Sequence, residues 1–217
     1  MNIAIIGASG FVGTALVKEA VRRGHKITAI SRHPEEIPSD NDQVTAQSVD
    51  INNKSNLADV LEGHDAVLTA FHPGRGKPNE YDEYLKGHKL IQETVKKTDV
   101  DRWLVIGGAG SLYNEDGEQL VDTPEFPDDF KTEATAARDY LDTLKQENDL
   151  NWTYLSPAIL MHPGIDTGRT GEYRTNTETP VFNDKGESKI SVEDLAVAML
   201  DELEKGNYIQ QRFTVAY

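Results

Sequence analysis

The chain has 217 residues, with 22 Lys and Arg against 37 Asp and Glu for a formal charge of −15, and it has no cysteine. That length suits one domain, residues 1–217, large enough to bury a core without a disulfide or metal staple. The missing cysteines exclude thiol nucleophiles, thiolate zinc sites, iron–sulfur clusters and disulfide frameworks, and the acidic balance excludes wrapping nucleic acid or lying on an anionic membrane surface, both of which need a basic patch.

The chain runs from Met1-Asn2 straight into the apolar Ile3–Ile6. No basic n-region precedes an apolar h-region, and the longest apolar runs fall far short of the roughly 20 residues of a spanning helix. A cytoplasmic protein is the expectation. Ile3–Ile6 is continuous rather than alternating, as in strands buried on both faces. It leads into Gly7-Ala8-Ser9-Gly10-Phe11-Val12-Gly13, where Phe11, Val12, Ala15, Leu16 and Ala20 begin a helical spacing. A glycine motif between strand and helix is the context of a phosphate-binding turn. Gly7 permits the turn, Gly10 lets backbone approach a pyrophosphate, and Gly13 lets the helix pack on the sheet. The helix N-terminus adds free N–H groups and partial positive charge. The spacing is GxxGxxG rather than GxGxxG, and the bland alternative is a tight turn with no ligand.

The second strand, Lys26–Ile30, ends at Ser31-Arg32-His33. A reader of NAD places an acid there for the ribose hydroxyls. Here Arg32 stands at the tip, and a guanidinium pairs with a 2′-phosphate in fork geometry. NADPH is therefore expected, with NAD retained as the alternative because Glu35 and Glu36 follow closely. The third strand, Val44–Val49, ends at Asp50-Ile51, where Asp50 either accepts from an adenine amino group or caps the next helix. The fourth, Asp65–Phe71, carries Ala70, small enough to leave room for a ribose, and Phe71, a stacking surface. His72 follows as a candidate proton donor, since imidazole titrates near neutrality; the alternative is a non-catalytic loop histidine.

Tyr81, Tyr84, Leu85, His88, Ile91 and Val95 predict the next helix, and Arg102–Ile106 the fifth strand. Gly107-Gly108-Ala109-Gly110-Ser111-Leu112 follows. Its glycines let a flat ring lie against backbone, with Ser111 facing the nicotinamide or substrate, or else capping a helix. Tyr113 adds stacking surface, while Trp103, mid-strand, reads as core. Asn114 to Phe130 holds Glu115, Asp116, Glu118, Asp122, Glu125, Asp128 and Asp129 with no Lys or Arg, a solvated loop or an acidic rim. Phe130, Ala134, Ala137, Leu141 and Leu144 form a helical stripe, and Lys131 beside it either reaches the cofactor ribose or is merely exposed. The sixth strand, Trp152–Leu155, ends at Ser156-Pro157-Ala158, where backbone groups can hold the carboxamide.

Residues 157–190 read as an irregular cap with short strands at Glu172–Thr175 and Pro180–Asn183. Ser191 is a helix N-cap with Asp194 three residues on, a capping-box variant; Val192, Leu195, Ala196, Met199, Leu200 and Leu203 form the buried stripe. Phe213, Val215 and Tyr217 alternate in a last strand. Strands alternating with helices give an α/β Rossmann fold: a doubly wound parallel sheet with helices on both faces.

No tyrosine is followed four residues later by lysine, so the acid–base dyad of alcohol–ketone chemistry is absent. No zinc or triad-hydrolase signature appears, and no metal is expected. The amino-terminal strand and glycine loop resemble those of the atypical short-chain dehydrogenases. Val105 to Leu112, Leu120 to Pro124, Asn151 to Pro157 and Arg212 to Tyr217 narrow the resemblance to a bacterial NADH-flavin reductase group, related to NmrA-like proteins and to flavin and biliverdin reductases. That resemblance spans the chain. It implies a Rossmann fold, a bound dinucleotide and reduction of a flavin or quinone, and places the glycine loop, Arg32, Ala70, Phe71, Ser111 and Pro157 at the site. The expectation is an NADPH-dependent reductase acting on a small planar acceptor, as a monomer or homodimer. The alternatives are a dinucleotide-binding redox sensor without turnover and, less favoured, a sugar-nucleotide epimerase or dehydratase.

Overall fold

The computed structural model describes residues 1–37 and 41–217. One eight-stranded sheet organises them: β1 (Asn2–Ile6), β2 (Lys26–Ser31), β3 (Val44–Ser48), β4 (Ala66–Thr69), β5 (Arg102–Ile106), β6 (Trp152–Ser156), β7 (Arg174–Asn176) and β8 (Gln211–Ala216). Their spatial order is β3-β2-β1-β4-β5-β6-β8-β7. All neighbours are parallel except β7, which pairs antiparallel with β8. This is a Rossmann fold, and its order reverses between β1 and β4, the kind of switch point above whose carboxyl ends open α/β sheets hold ligands.

Among the described residues, five helices cover the sheet: α1 (Phe11–Arg22), α2 (Lys54–Leu61), α3 (Glu80–Val95), α4 (Asp128–Leu144) and α5 (Val192–Lys205). Side chains on a strand alternate between faces, and β1 shows what that does. Ile3 and Ile5 join α1 and α5 in one core, while Ala4 and Ile6 join α3 and α4 in the other. A strand buried on both sides must therefore read as continuously apolar. The exceptions are the two edge strands: β3, with exposed Thr45, Gln47 and Ser48, and β7, exposed throughout. No helix among the described residues is long and apolar enough to cross a membrane.

The tail differs in part from expectation. Pro180–Asn183 forms no strand, and the single short strand of the cap is β7. Ser191 does cap α5, accepting from the Asp194 amide at 3.1 Å. The reciprocal bond of a capping box is missing, because Asp194, fully buried, turns instead to Thr170, Gly171 and Tyr217. Phe130 is 45% exposed rather than part of the α4 stripe.

His88 of α3 is fully buried and stacks on Tyr84 at 4.1 Å. Its Nδ1 donates to the Tyr84 carbonyl, and Nε2 has no partner. Burial holds its pKa down at about 4, against 6.5 for a free imidazole. As pH falls through 6.5, the unfolded chain takes up this proton before the folded one does, so acidification to pH 4 removes about 3 kcal/mol of stability. Urea denaturation at pH 7 and pH 4.5 should show this loss, and His88→Leu should flatten it.

Candidate functional site

The turn from β1 to α1 is shaped by contacts that only glycine permits. Gly7 has φ +83°, and a Cβ on it would lie 2.4 Å from the Ala70 carbonyl oxygen. A Cβ on Gly13 would lie 2.0 Å from the Gly7 oxygen. Helix α1 thus starts hard against its own loop. Its first-turn N–H groups have no intrahelical partner, no acid occupies that turn, and Gly10 offers no side-chain cap. An open cradle of donors results, suited to an anion.

A cleft of about 160 Å³ opens beside it, lined by Ile6, Gly7, Ser9, Gly10, Ile30, Ser31, Arg32, Val49, Ile51, Ala70, Phe71 and His72. The glycine loop and the ends of β2 and β4 therefore converge on one cleft. Ala8 is buried beneath the turn, and Phe11 is exposed on the α1 tip with Val12 half-buried behind it. The Ser9 and Ser31 hydroxyls bond each other at 2.8 Å, and Ser31 Oγ accepts the His33 amide at 3.1 Å. Arg32 is exposed at the rim, and no carboxylate lines the cleft among the described residues. Asp50 stands outside it. Its Oδ1 accepts the Asn52 amide and side-chain amide, both at 2.9 Å, and these bonds, with a smaller contribution from Arg32, hold its carboxyl below the usual range. Asp50 thus shapes the turn before α2. A larger cleft, about 440 Å³, shares Ser9 and Gly10 and runs along the outside of α1 past Lys18, Arg22 and Arg169.

His72 requires a correction. Its ring borders the cleft, but Nδ1 accepts the Gly74 amide at 2.9 Å, so the hydrogen of the neutral ring sits on Nε2. Nε2 is buried, 3.4 Å from Glu133 and 3.6 Å from Glu80, and completes no hydrogen bond. The proton faces two carboxylates on α3 and α4 rather than the cleft, so this arrangement does not offer it to a bound molecule. The three side chains are close enough to surround a cation. However, a metal-bound imidazole donates its other N–H, and here that nitrogen accepts. Burial works to raise the pKa of Glu133, yet His72 and Arg75 outweigh it and hold the carboxyl at about 2. Arg75 bonds Glu133 at 2.7 Å and lies over the Phe130 ring, tying the loop after β4 to α4.

The loop after β5 requires a second correction. A Cβ on Gly107 would overlap the Tyr154 ring, at 1.9 Å, so the backbone lies directly on that ring. Ser111 is 1% exposed. Its hydroxyl donates to the Gly108 carbonyl at 3.3 Å and meets Ser156 Oγ and Arg212 Nη1 at the same distance. It braces the loop from beneath instead of facing a ligand. Ser156, Pro157 and Ala158 are likewise buried at the end of β6. Trp103 is core, its indole donating to Thr69 at 3.0 Å. Lys131 is exposed on the first turns of α4, outside both clefts. In the acidic stretch, Asp122 is tied to Arg138 at 2.9 Å.

Sequence reasoning missed Glu80, Glu133, Arg212 and Glu178. Arg212 left one trace: it precedes Phe213 in an alternating strand, so if β8 is interior the arginine must be buried too.

A family model for NAD(P)H-binding domains matches residues 7–205. The Bacillus subtilis protein YwnB is 37% identical over 217 residues, covering 99% of this chain and 98% of that one. An epimerase-like structure from Bacteroides thetaiotaomicron superposes with a TM-score of 0.91 at 41% identity, over 100% of this chain and 96% of that one. An NADH-flavin reductase-like structure from Streptococcus pneumoniae does so with 0.84 at 41% identity, over 100% and 99%.

Proposed function

Because the chain belongs to the NAD(P)H-binding family, we propose that it is an NADPH-dependent reductase that passes hydride to a planar acceptor such as free flavin or a quinone. The observation that carries the cofactor choice is the end of the cleft at the tip of β2, where Arg32 and two serine hydroxyls stand and, among the described residues, no carboxylate does. An anionic 2′-phosphate is favoured there and a ribose diol gains no charged acceptor. When bound, NADPH supplies the hydride, and the acceptor takes up that hydride and one solvent proton. The chain's own part is to hold and orient: Gly7 to Gly13 cradle the pyrophosphate and Arg32 grips the 2′-phosphate. The Gly107 loop shapes the face above. The NADH-flavin reductase-like neighbour supports the flavin-reducing part of this reading, and its NADH label does not favour the phosphorylated cofactor.

The inward turn of Ser111 and the missing tyrosine–lysine pair favour a second reading, a redox sensor that binds dinucleotide without turnover. One preparation decides between them. Flavin-free protein is titrated with NADPH and NADH, then assayed for absorbance loss at 340 nm with FMN and a naphthoquinone. NADPH should bind at least tenfold more tightly than NADH, an advantage of about 1.4 kcal/mol, and Arg32→Ala should abolish the preference. Tight binding with no acceptor-dependent oxidation would leave the sensor.

A further inference from the structure

We propose that the larger cleft is a second ligand site, one that takes a phosphomonoester carried on a planar apolar body, with Lys18, Arg22 and Arg169 to hold the phosphate and Phe11 to meet the ring. Its volume, about 440 Å³ against about 160 Å³ for the cofactor cleft, falls within the range of small-molecule pockets. The two clefts share only Ser9 and Gly10. From there Phe11, Thr14, Ala15, Lys18, Glu19 and Arg22 follow at helical spacing along one face of α1. Because α1 joins parallel β1 and β2, it runs back toward the amino ends of the strands. Gly10 to Arg22 spans about 18 Å at about 1.5 Å per residue, leading away from the carboxyl edge where the crevice rule seats a dinucleotide. A dinucleotide seated there leaves this groove open.

The lining is cationic in a chain of charge −15. Lys18 and Arg22 are exposed and stand four residues apart on α1, a spacing at which like charges destabilise a helix. Among the described residues Lys18 forms no ion pair, and Arg22 reaches only Glu19, at 3.9 Å. Glu19 is 4% exposed and already engaged: it accepts from Arg23 at 2.9 Å and from Nε and Nη2 of Arg169 at 2.7 and 2.9 Å. That fork fixes the Arg169 guanidinium on the groove wall and leaves its Nη1 with no hydrogen bond among the described residues. Glu193 is the other carboxylate of the lining, so three cations face two acids, one of them already neutralised. A fixed guanidinium with a free Nη1, beside an unpaired lysine and a weakly paired arginine, is a donor set for a phosphate. Phe11 is 42% exposed at the shared end, and half-buried Val192 of α5 lines the same groove. A bare inorganic anion has no use for that apolar surface, whereas a planar ring stacks on it.

The test uses the full chain saturated with NADP⁺, so that the cofactor cleft is filled. FMN and riboflavin are titrated in separately with flavin fluorescence followed, and inorganic phosphate is then added to the FMN complex. FMN should bind at least about tenfold more tightly than riboflavin, and phosphate should displace it. Lys18→Ala combined with Arg22→Ala, checked for an unchanged melting temperature, should weaken FMN about tenfold while leaving riboflavin and NADP⁺ affinity within about twofold. Lys18→Arg combined with Arg22→Lys should restore FMN binding. Failure of FMN to bind, or equal affinity for FMN and riboflavin, would overturn the proposal. So would wild-type FMN binding in the double alanine variant, or an equal loss of NADP⁺ affinity. Steady-state assays tell the source of the phosphate. A KM raised in the double variant for FMN but not for riboflavin makes it the acceptor's own; FMN binding lost with both KM values unchanged makes it that of a separate ligand. If the wild-type protein oxidises NADPH with no acceptor, the reductase reading fails by itself, and the binding titrations still decide the second site.

Discussion

Gly13→Ala is expected to weaken NADPH binding about 100-fold, or about 2.7 kcal/mol, in a protein that still folds. The new methyl would arrive 2.0 Å from the Gly7 carbonyl oxygen and 2.8 Å from Ala8 Cα. Both are backbone atoms, so no side chain can swing aside; α1 must lift from its own loop by about an ångström. That movement takes the first-turn N–H groups away from the pyrophosphate they would bind, and overpacking of this kind lowers stability by about 1–3 kcal/mol. Gly10→Ala separates the two effects. A Cβ there would lie 3.3 Å from the Gly7 oxygen and meet nothing else within 4 Å, so the melting temperature should hardly move. The methyl would nevertheless stand on the face where a phosphate must approach, and affinity should fall. Calorimetric titration of the two variants, beside thermal melts, checks both claims. If Gly10→Ala binds NADPH as wild type does, the phosphates do not cross Gly10.

The same contrast shows which parts of the molecule could be read in advance. The glycine loop was legible because its constraints are local: strand, turn and helix lie within a dozen residues, and Gly7 and Gly13 touch each other's neighbourhood. The parallel core strands were legible because burial on both faces leaves a continuous apolar run. Ser111 was misjudged for the opposite reason. The partners that turn it inward, Ser156 and Arg212, lie 45 and 101 residues away. The meeting of His72 with Glu133 likewise depends on how the loop after β4 meets α4. Its ring polarity depends on one backbone amide, that of Gly74, which no residue pattern announces. In the cap, short strands compete with turns, and β7 exists because β8 offers it an edge. A reading of Pro180–Asn183 by itself cannot see that edge.

Asp194 is the clearest case of a role hidden by distance, and it predicts a large loss of stability. The residue occupies a capping-box position, yet its carboxylate is fully buried and serves as the knot of the cap. Oδ1 accepts the amides of Thr170 and Gly171 at 2.9 and 2.7 Å, and Oδ2 accepts the hydroxyls of Thr170 and Tyr217 at 2.7 and 2.8 Å. Helix α5, the cap and the last residue of the chain meet on this one group. Asp194→Ala strands these donors, and with each orphan worth about 1–3 kcal/mol if water cannot reach it, and less at the exposed cap, the sum should be about 3–4 kcal/mol. For a chain of this size that lowers the melting temperature by about 6–16 °C. Asp194→Asn keeps one acceptor oxygen but turns an NH₂ group toward some of the same donors, so it should fall between. Glu193→Ala, at the exposed neighbouring position, should change little. A second consequence ties the knot to the site. Arg169, next to Thr170, bonds the buried Glu19 of α1 at 2.7 Å, so freeing the cap also loosens the outer wall of the helix that bears the phosphate cradle. Asp194→Ala should therefore increase hydrogen exchange at residues 168–171 and in α1, and leave β3 at the far edge of the sheet unchanged. A uniform rise across the whole sheet would show that Asp194 supports global stability alone and does not hold the cap.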